Sequence, residues 1–372
     1  MQYTKLKAIN EYVSENVNPA KYPDSVFEMY SVPIYETGHP EYLYGSEIGS
    51  NKAIVRKNDI LLCKINPRIN RVWVVTDESE YQNIASSEWI VIRSSTYNPE
   101  YLAWYFRSSM FKRLMISEVT GIGGSLTRAQ PKAVAEYPVP VIPKHEQDTI
   151  VNILNKADSV IKARKQELQK LDDLVRARFV ELFGDPVQNP WKWEKEECNR
   201  HIDLLSGYPF KSEQYVVEGI NICGGLIIMP QRIEWESCVH WPSEQGYEDY
   251  LLEDGDIVMA LDRPWITEGF KVARVEQTHL PALLIQRTAR IRAIDINQDY
   301  LYYCFINGGF DQHCNITGSL VPHISAKDIR SFEIMIPPVE LQDEFSIFMK
   351  QIDKSKLQSR KIQIFYHVLV IH

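Results

Sequence analysis

The sequence predicts an α/β (α+β) chain of two tandem-duplicated globular units separated by long helices that pair as an antiparallel coiled coil with pseudo-two-fold symmetry. Three features predict this. One stretch from about His145 to Phe183 lacks Gly and Pro, a second from Glu340 to about Tyr366 does too, and a set of short motifs recurs in the same order before each. The corresponding boundaries are 1–143 for the first globule, 144–186 for the central helix, 187–338 for the second globule and 339–372 for the C-terminal helix.

The first stretch carries apolar residues at Ile150, Leu154, Ala157, Ile161, Leu168, Leu171, Val175 and Leu182, close to a 4-3 heptad rhythm, with Arg164 and Arg178 on seam positions. Pro143 precedes it and Gly184-Asp185-Pro186 ends it. Such a helix would span on the order of 57 Å. A stripe this narrow is not stable alone in water and requires a partner helix. The second stretch supplies one, with Phe345, Phe348 and Ile352 at helical spacing.

The repeat fixes the duplication. Val139-Pro140-Val141-Ile142-Pro143 leading to Glu146-Gln147-Asp148 is answered by Ile334-Met335-Ile336-Pro337-Pro338 leading to Leu341-Gln342-Asp343. Asn98-Pro99-Glu100-Tyr101-Leu102 answers Asn297-Gln298-Asp299-Tyr300-Leu301, an N-capped helix with an aromatic face. Asn58-Asp59-Ile60 answers Gly255-Asp256-Ile257, and Gly124-Ser125-Leu126 answers Gly318-Ser319-Leu320. Strands are expected at Ile54–Arg56, Ile60–Ile65, Val72–Val75 and Trp89–Arg93 of the first globule.

Composition is that of an ordinary globular chain, 44% hydrophobic and 24% charged, with no run of the roughly 20 apolar residues that a bilayer span needs. The N-terminus has lysines without an apolar core behind them, so the cytoplasm is the expected location, with no membrane partner. Net charge is −8, and residues 190–338 carry 22 acidic against 13 basic groups, whereas residues 1–140 carry 15 of each. Any nucleic-acid face must therefore be local. None of the six cysteines forms a C-x-x-C pair, and Cys238-Val239-His240 and His313-Cys314 lack a second pair that would complete a metal site.

Catalytic motifs are missing. There is no G-x-x-x-x-G-K-[ST] loop for ATP. No adenine-methyltransferase Asn-Pro-Pro-Tyr motif is present, and Gly121-Ile122-Gly123-Gly124 lacks a strand–loop–helix context. No catalytic residue, no metal and no cofactor are expected in this chain.

Two loop clusters suit DNA. Lys64, Asn66, Arg68 and Arg71 lie in a proline-bent hairpin after a buried strand, and Arg263 and Trp265 are their counterparts. Ser125, Thr127, Arg128, Gln130 and Lys132 follow the glycine cluster, with Ser319, His323 and Lys327 in the second globule. Cations and hydroxyls suit phosphates, and Arg or Gln suits base edges. The bland alternative is a pair of solvated turns. The aromatics Tyr101, Trp104, Tyr105 and Phe106, and Tyr300, Tyr302, Tyr303 and Phe305, are read as core at helical spacing rather than as stacking platforms.

Pro143-Lys144-His145-Glu146-Gln147-Asp148-x-Ile150, continuing through Leu154, Asp158, Ile161, Leu168, Leu171 and Leu174 and closing on Glu181-Leu182-Phe183-Gly184-Asp185-Pro186, resembles the specificity subunits of type I restriction–modification enzymes. The likeness covers nearly the whole chain. It implies two target-recognition domains, each reading one half of a bipartite double-stranded DNA site. It also implies helices that space the halves and dock two methyltransferase subunits, to which restriction/translocase subunits attach. S-adenosylmethionine, ATP and Mg would sit on those partners. Two features depart from the family pattern: the apolar tail Phe365–His372, where a charged amphipathic helix is usual, and the acidity of the second globule. A self-contained methyltransferase or nuclease, and a protein-binding scaffold with duplicated heads, are the competing readings.

Overall fold

The computed structural model describes residues 2–117, 127–314 and 323–371. The chain forms two compact units, Met1–Lys165 with Arg360–His372, and Gln166–Ser359. Among the described residues no helix is long and apolar enough to cross a membrane.

In the first unit, Ile60–Cys63 is the centre of a three-stranded antiparallel sheet between Val72–Val74 and Trp89–Ile92. The run Ile60-Leu61-Leu62-Cys63 is buried on both faces. Alternation sends Ile60 and Leu62 towards the helix Pro99–Arg107, with Leu102 and Phe106, and sends Leu61 and Cys63 towards Tyr30, Trp73 and Trp89. A five-stranded sheet orders Asn16–Val17, Lys52–Ile54, Gln82–Ala85, Val26–Tyr30 and Glu41–Tyr44. Tyr3–Lys5 pairs antiparallel with Pro138–Pro140, just before the central helix.

The second unit repeats this plan. Ile257–Ala260 lies between Thr288–Ala293 and Val272–Arg274, with Ile202–Ser206 added at the edge. Ile220–Cys223 pairs parallel with Ala282–Leu284, as Val26–Tyr30 does with Gln82–Ala85. Lys195–Glu197 pairs with Glu333–Met335.

The repeat extends to side chains. Arg93 Nε and Nη2 donate to Asp59 at 2.7 and 2.6 Å, and Arg292 Nε and Nη2 donate to Asp256 at 2.5 and 2.9 Å. These carboxylates are 1% and 3% exposed, and their hydrogen bonds push both guanidiniums above their usual pKa. Asn98 and Asn297 cap their helices by accepting from the two following turn amides. The aromatic positions Tyr101, Tyr105, Phe106, Tyr300, Tyr302, Tyr303 and Phe305 are buried, as their helical spacing predicts.

The central helix spans Lys144–Phe183. Gly184 ends it at φ +79°, donating to the Val180 carbonyl at 2.8 Å, and a Cβ there would meet Pro190 Cγ at 2.7 Å. Asp185 then accepts from the amides of Val187 and Gln188. The deepest seam residues are Val175, Phe179 and Phe183, all fully buried. Within the second unit this end packs antiparallel against the helix Val339–Ile371. Phe179 and Phe183 meet Phe345, Arg178 pairs with Glu344, and Lys356 Nζ lies 2.5 Å from Asp172. Burial opposes the charge of Arg274 in the same unit, yet Asp353, Tyr302 and Asp299 hold its guanidinium above the usual range.

Several expected boundaries shift. The strand expected at Ile54–Arg56 is Lys52–Ile54, because Arg56 N–H turns to the Asp59 carboxylate at 2.8 Å. The strand expected to reach Ile65 stops at Cys63. The C-terminal helix, expected over 339–372, is Val339–Ile371.

Candidate nucleic-acid interface

The two sequence clusters of the first unit meet in space. Lys64 N–H donates to the Glu88 carbonyl at 3.0 Å, Ala129 N–H to the Lys64 carbonyl at 2.8 Å, and Asn66 N–H to the Thr127 carbonyl at 2.8 Å. Ile65 and Arg128 form an antiparallel bridge. The result is a corner in which three chain segments are fastened by main-chain atoms.

The second unit builds the same corner. Leu261 N–H donates to the Arg287 carbonyl at 2.9 Å, Ile324 N–H to the Leu261 carbonyl at 2.9 Å, and Asp262 bridges His323. Strand register makes the stations equivalent. Cys63 pairs with Trp89 where Ala260 pairs with Thr288, so Glu88 and Arg287 occupy matching places.

Local sequence shapes both turns. Asn66 (φ +44°) and Asn70 (φ +55°) take left-handed backbone, which Asn tolerates, and Asn70 Nδ2 ties the loop to the Phe106 carbonyl at 3.0 Å. The station of Asn66 is held by Arg263 in the second unit, at φ +47°. Arg287 is also left-handed, at φ +65°. Arginine gains nothing locally from that conformation, which costs about 1 kcal/mol or more.

Exposed cations line each corner. In the first unit Arg68 and Lys132 are exposed and Lys64 is half-buried, all without an ion pair among the described residues, while Arg128 lies 3.3 Å from Glu88. In the second unit Arg263 and Lys327 are exposed, and Asp262 holds both Arg287, at 3.0 Å, and His323 Nδ1, at 2.6 Å. Neighbouring Lys271 is buried and donates to the Gly225 carbonyl. Its burial, then the charge of Arg263, lowers its pKa.

Buried polar atoms gather at the first corner: Asn66 Oδ1, Asn70 Oδ1, Arg71 Nε and Glu88 Oε2 have no hydrogen-bond partner among the described residues. An unmet buried donor or acceptor costs about 1–3 kcal/mol, a cost that bound water also relieves.

Not every expected contact residue faces outward. Thr127 is buried, and its carbonyl serves the corner's own hydrogen bonding. Trp265 stacks on Phe270 at 4.8 Å and packs against the core, because the short hairpin Trp265–Ile266/Gly269–Phe270 turns its ring inward. Arg71 keeps most of its side chain inside, with Nε 4.0 Å from Glu36. Gln130 is exposed. Ser125 and Ser319 lie outside the described residues. The sequence places Asp262 in the loop Asp262-Arg263-Pro264-Trp265 that answers Lys64–Arg71 but gives it no role of its own, and it singles out neither Glu88 nor Arg287. The offset that aligns Asn98 with Asn297 would have paired Glu88 with Arg287, but their roles depend on chain segments that only the fold brings together. A cavity of about 810 Å³ in the second unit, with Arg290 and Arg292 in its lining, shares no residue with the corner.

Cys238 Sγ, just before the strand Val239–Trp241, lies 3.8 Å from His240 Nε2, and among the described residues no group of three or more metal-type ligands converges.

Residues 7–172 and 242–364 match the family described as Type I restriction modification DNA specificity domain. The chain is 23% identical over 325 residues to the type I restriction enzyme MjaVIII specificity subunit of Methanocaldococcus jannaschii, covering 82% of this chain and 75% of that protein. It is 32% identical over 167 residues to the type I restriction enzyme EcoAI specificity subunit of Escherichia coli, covering 42% of this chain and 28% of that one. In fold it is similar to the type I restriction–modification S subunit from M. genitalium, at TM-score 0.57 and 12% identity over 99% of this chain and 93% of that chain. A chain from a type I restriction–modification assembly gives TM-score 0.56 at 17% identity over 99% and 95%.

Proposed function

This chain belongs to the type I restriction–modification DNA specificity family, and on that premise we propose that each of its two corners reads one half of a bipartite double-stranded DNA target. Members of this family are non-catalytic recognition subunits, so the chain is a reader and not an enzyme. The observation that carries the reading is the duplicated corner, with exposed cations in both units. Exposed Arg and Lys suit phosphate, while Arg and Gln reach base edges in the major groove. Local cations offset the net charge of −8, because phosphate contacts depend on where charge sits rather than on its sum.

Residues 1–143 and 187–338 are the recognition domains in this reading, and 144–186 with 339–372 are the spacer. The spacer docks two methyltransferase subunits, which in turn carry restriction/translocase subunits. S-adenosylmethionine, ATP and Mg belong to those partners. Sequencing the methylated sites made by the complex of this chain with its methyltransferase partner tests the reading. The expected map has two half-sites at fixed separation. Inserting one heptad after Leu168, with the C-terminal helix lengthened to match, should change the separation and leave both half-site sequences intact. Methylation without a bipartite site, or cleavage by the purified chain alone, would reject it.

A further inference from the structure

The two corners share a backbone but not a charge pattern. The equivalent stations are Ile65, Glu88 and Arg128 in the first unit, and Asp262, Arg287 and His323 in the second. In the first, the acid comes from the segment before Trp89 and holds one cation, Arg128. In the second, the acid has moved to the central segment, and Asp262 contacts Arg287 on one side and His323 on the other.

Arg287 combines three properties. Its side chain is 74% exposed, its backbone is left-handed at a conformational cost, and Asp262 Oδ2 fixes its Nη1 at 3.0 Å. With Nη1 paired to Asp262, Nη2 and Nε have no partner among the described residues and form a donor edge. That edge fits the O6 and N7 acceptors of guanine, which Arg contacts bidentately in the major groove. The same edge also matches two phosphate oxygens, but only a base contact makes binding depend on sequence at one pair.

We propose that Arg287 reads a guanine in the second half-site and that Asp262 is the positioning residue that aims it, together with His323. The inference rests on the reading of the corners as DNA faces. Because the acid sits at a different station in each unit, the two corners present different donor and acceptor patterns from one backbone frame. The two half-sites therefore differ in sequence.

The test uses the assembled complex with its methyltransferase partner on unmethylated genomic DNA, followed by sequencing of the methylated sites. Arg287→Ala should reduce discrimination at one G·C pair of one half-site by about tenfold or more and leave the other half-site unchanged. Arg287→Lys keeps the charge without the two-pronged edge and should relax the same pair. Asp262→Asn should relax that pair too, and adding it to Arg287→Ala should relax it no further. A purely structural role for Asp262 would lower thermal stability without moving base preference. Unchanged preferences in Arg287→Ala against a bipartite wild-type map overturn this inference alone. Uniform weakening at all sequences, with the salt slope reduced by about one, marks a phosphate contact and overturns it as well. A wild-type map without two half-sites overturns the broader reading first.

Discussion

Gln147, at the start of the central helix, accepts the backbone N–H of Asn98 at 2.7 Å and donates its own amide to the Ile142 carbonyl at 3.0 Å. The side chain is 1% exposed and ties the helical cap of the first globule to the short link between the strand Pro138–Pro140 and the helix. Gln342 does the same for Asn297 and Pro337, at 2.8 Å each. Gln147→Ala strands two buried groups and should cost about 1–3 kcal/mol, read by urea unfolding. A loss below a few tenths would mean that water takes over both bonds.

The Asp59–Arg93 pair should behave as a buried clasp. Arg93→Met leaves Asp59 without its two strongest donors and should destabilise the first unit by about 3 kcal/mol. Replacing both partners by apolar residues should recover most of that loss, since no charge is then left buried. A double variant as unstable as the single one would show that the pair stabilises the unit on balance.

Arg68→Ala should weaken DNA binding and alter only one half-site, with the salt dependence falling by about one counterion if the contact is to phosphate. Equal effects on both half-sites, measured by methylation mapping, would contradict separate reading heads.

Arg263→Asn separates stability from binding. Asn accepts the left-handed backbone at φ +47° that Asn66 already takes in the first unit. The variant should hold or gain up to about 1 kcal/mol in unfolding free energy while DNA affinity falls. A variant that loses stability and keeps affinity would refute the functional account of that strain.

Thiol chemistry offers a check on the core. Burial pushes Cys304 and Cys314 up to about 12, and raises Cys63, Cys198, Cys223 and Cys238 as well. At pH 7 the native chain should therefore alkylate far more slowly than the unfolded chain. Mass spectrometry of a brief iodoacetamide pulse would show it, and rapid labelling of Cys198 or Cys223 in native protein would argue against the packing.

Long helices and the duplication were legible because their signals are local or repeat in sequence: absent Gly and Pro, Gly184 at the end, Asn98 answered by Asn297. The five-stranded sheet was not, because Val26–Tyr30, Glu41–Tyr44 and Gln82–Ala85 lack a clean alternation of apolar and polar residues and pair across long separations. Phe179 and Phe183 were missed as seam residues, since they form a cluster only when Tyr300 and Phe345 arrive. Of the corner, the loop cations such as Arg68, Arg128 and Arg263 were readable, and Arg287 and the carboxylates that pair with the cations were not. Proximity of Asp262 to Arg287 is a property of strand register, and Trp265 looked outward only until Phe270 folded beneath it.

Main-chain hydrogen bonds fasten the three segments of each corner, and side-chain pairs across them only add to that fastening. A substitution at Glu88, Arg128, Arg287 or His323 leaves those bonds in place, so these positions are free to vary without threatening the scaffold. Natural variation should then concentrate there while Asp59, Asn98, Gln147 and their counterparts stay constant. A lineage could acquire a new target word by editing a few exposed letters, and inherit its architecture unaltered.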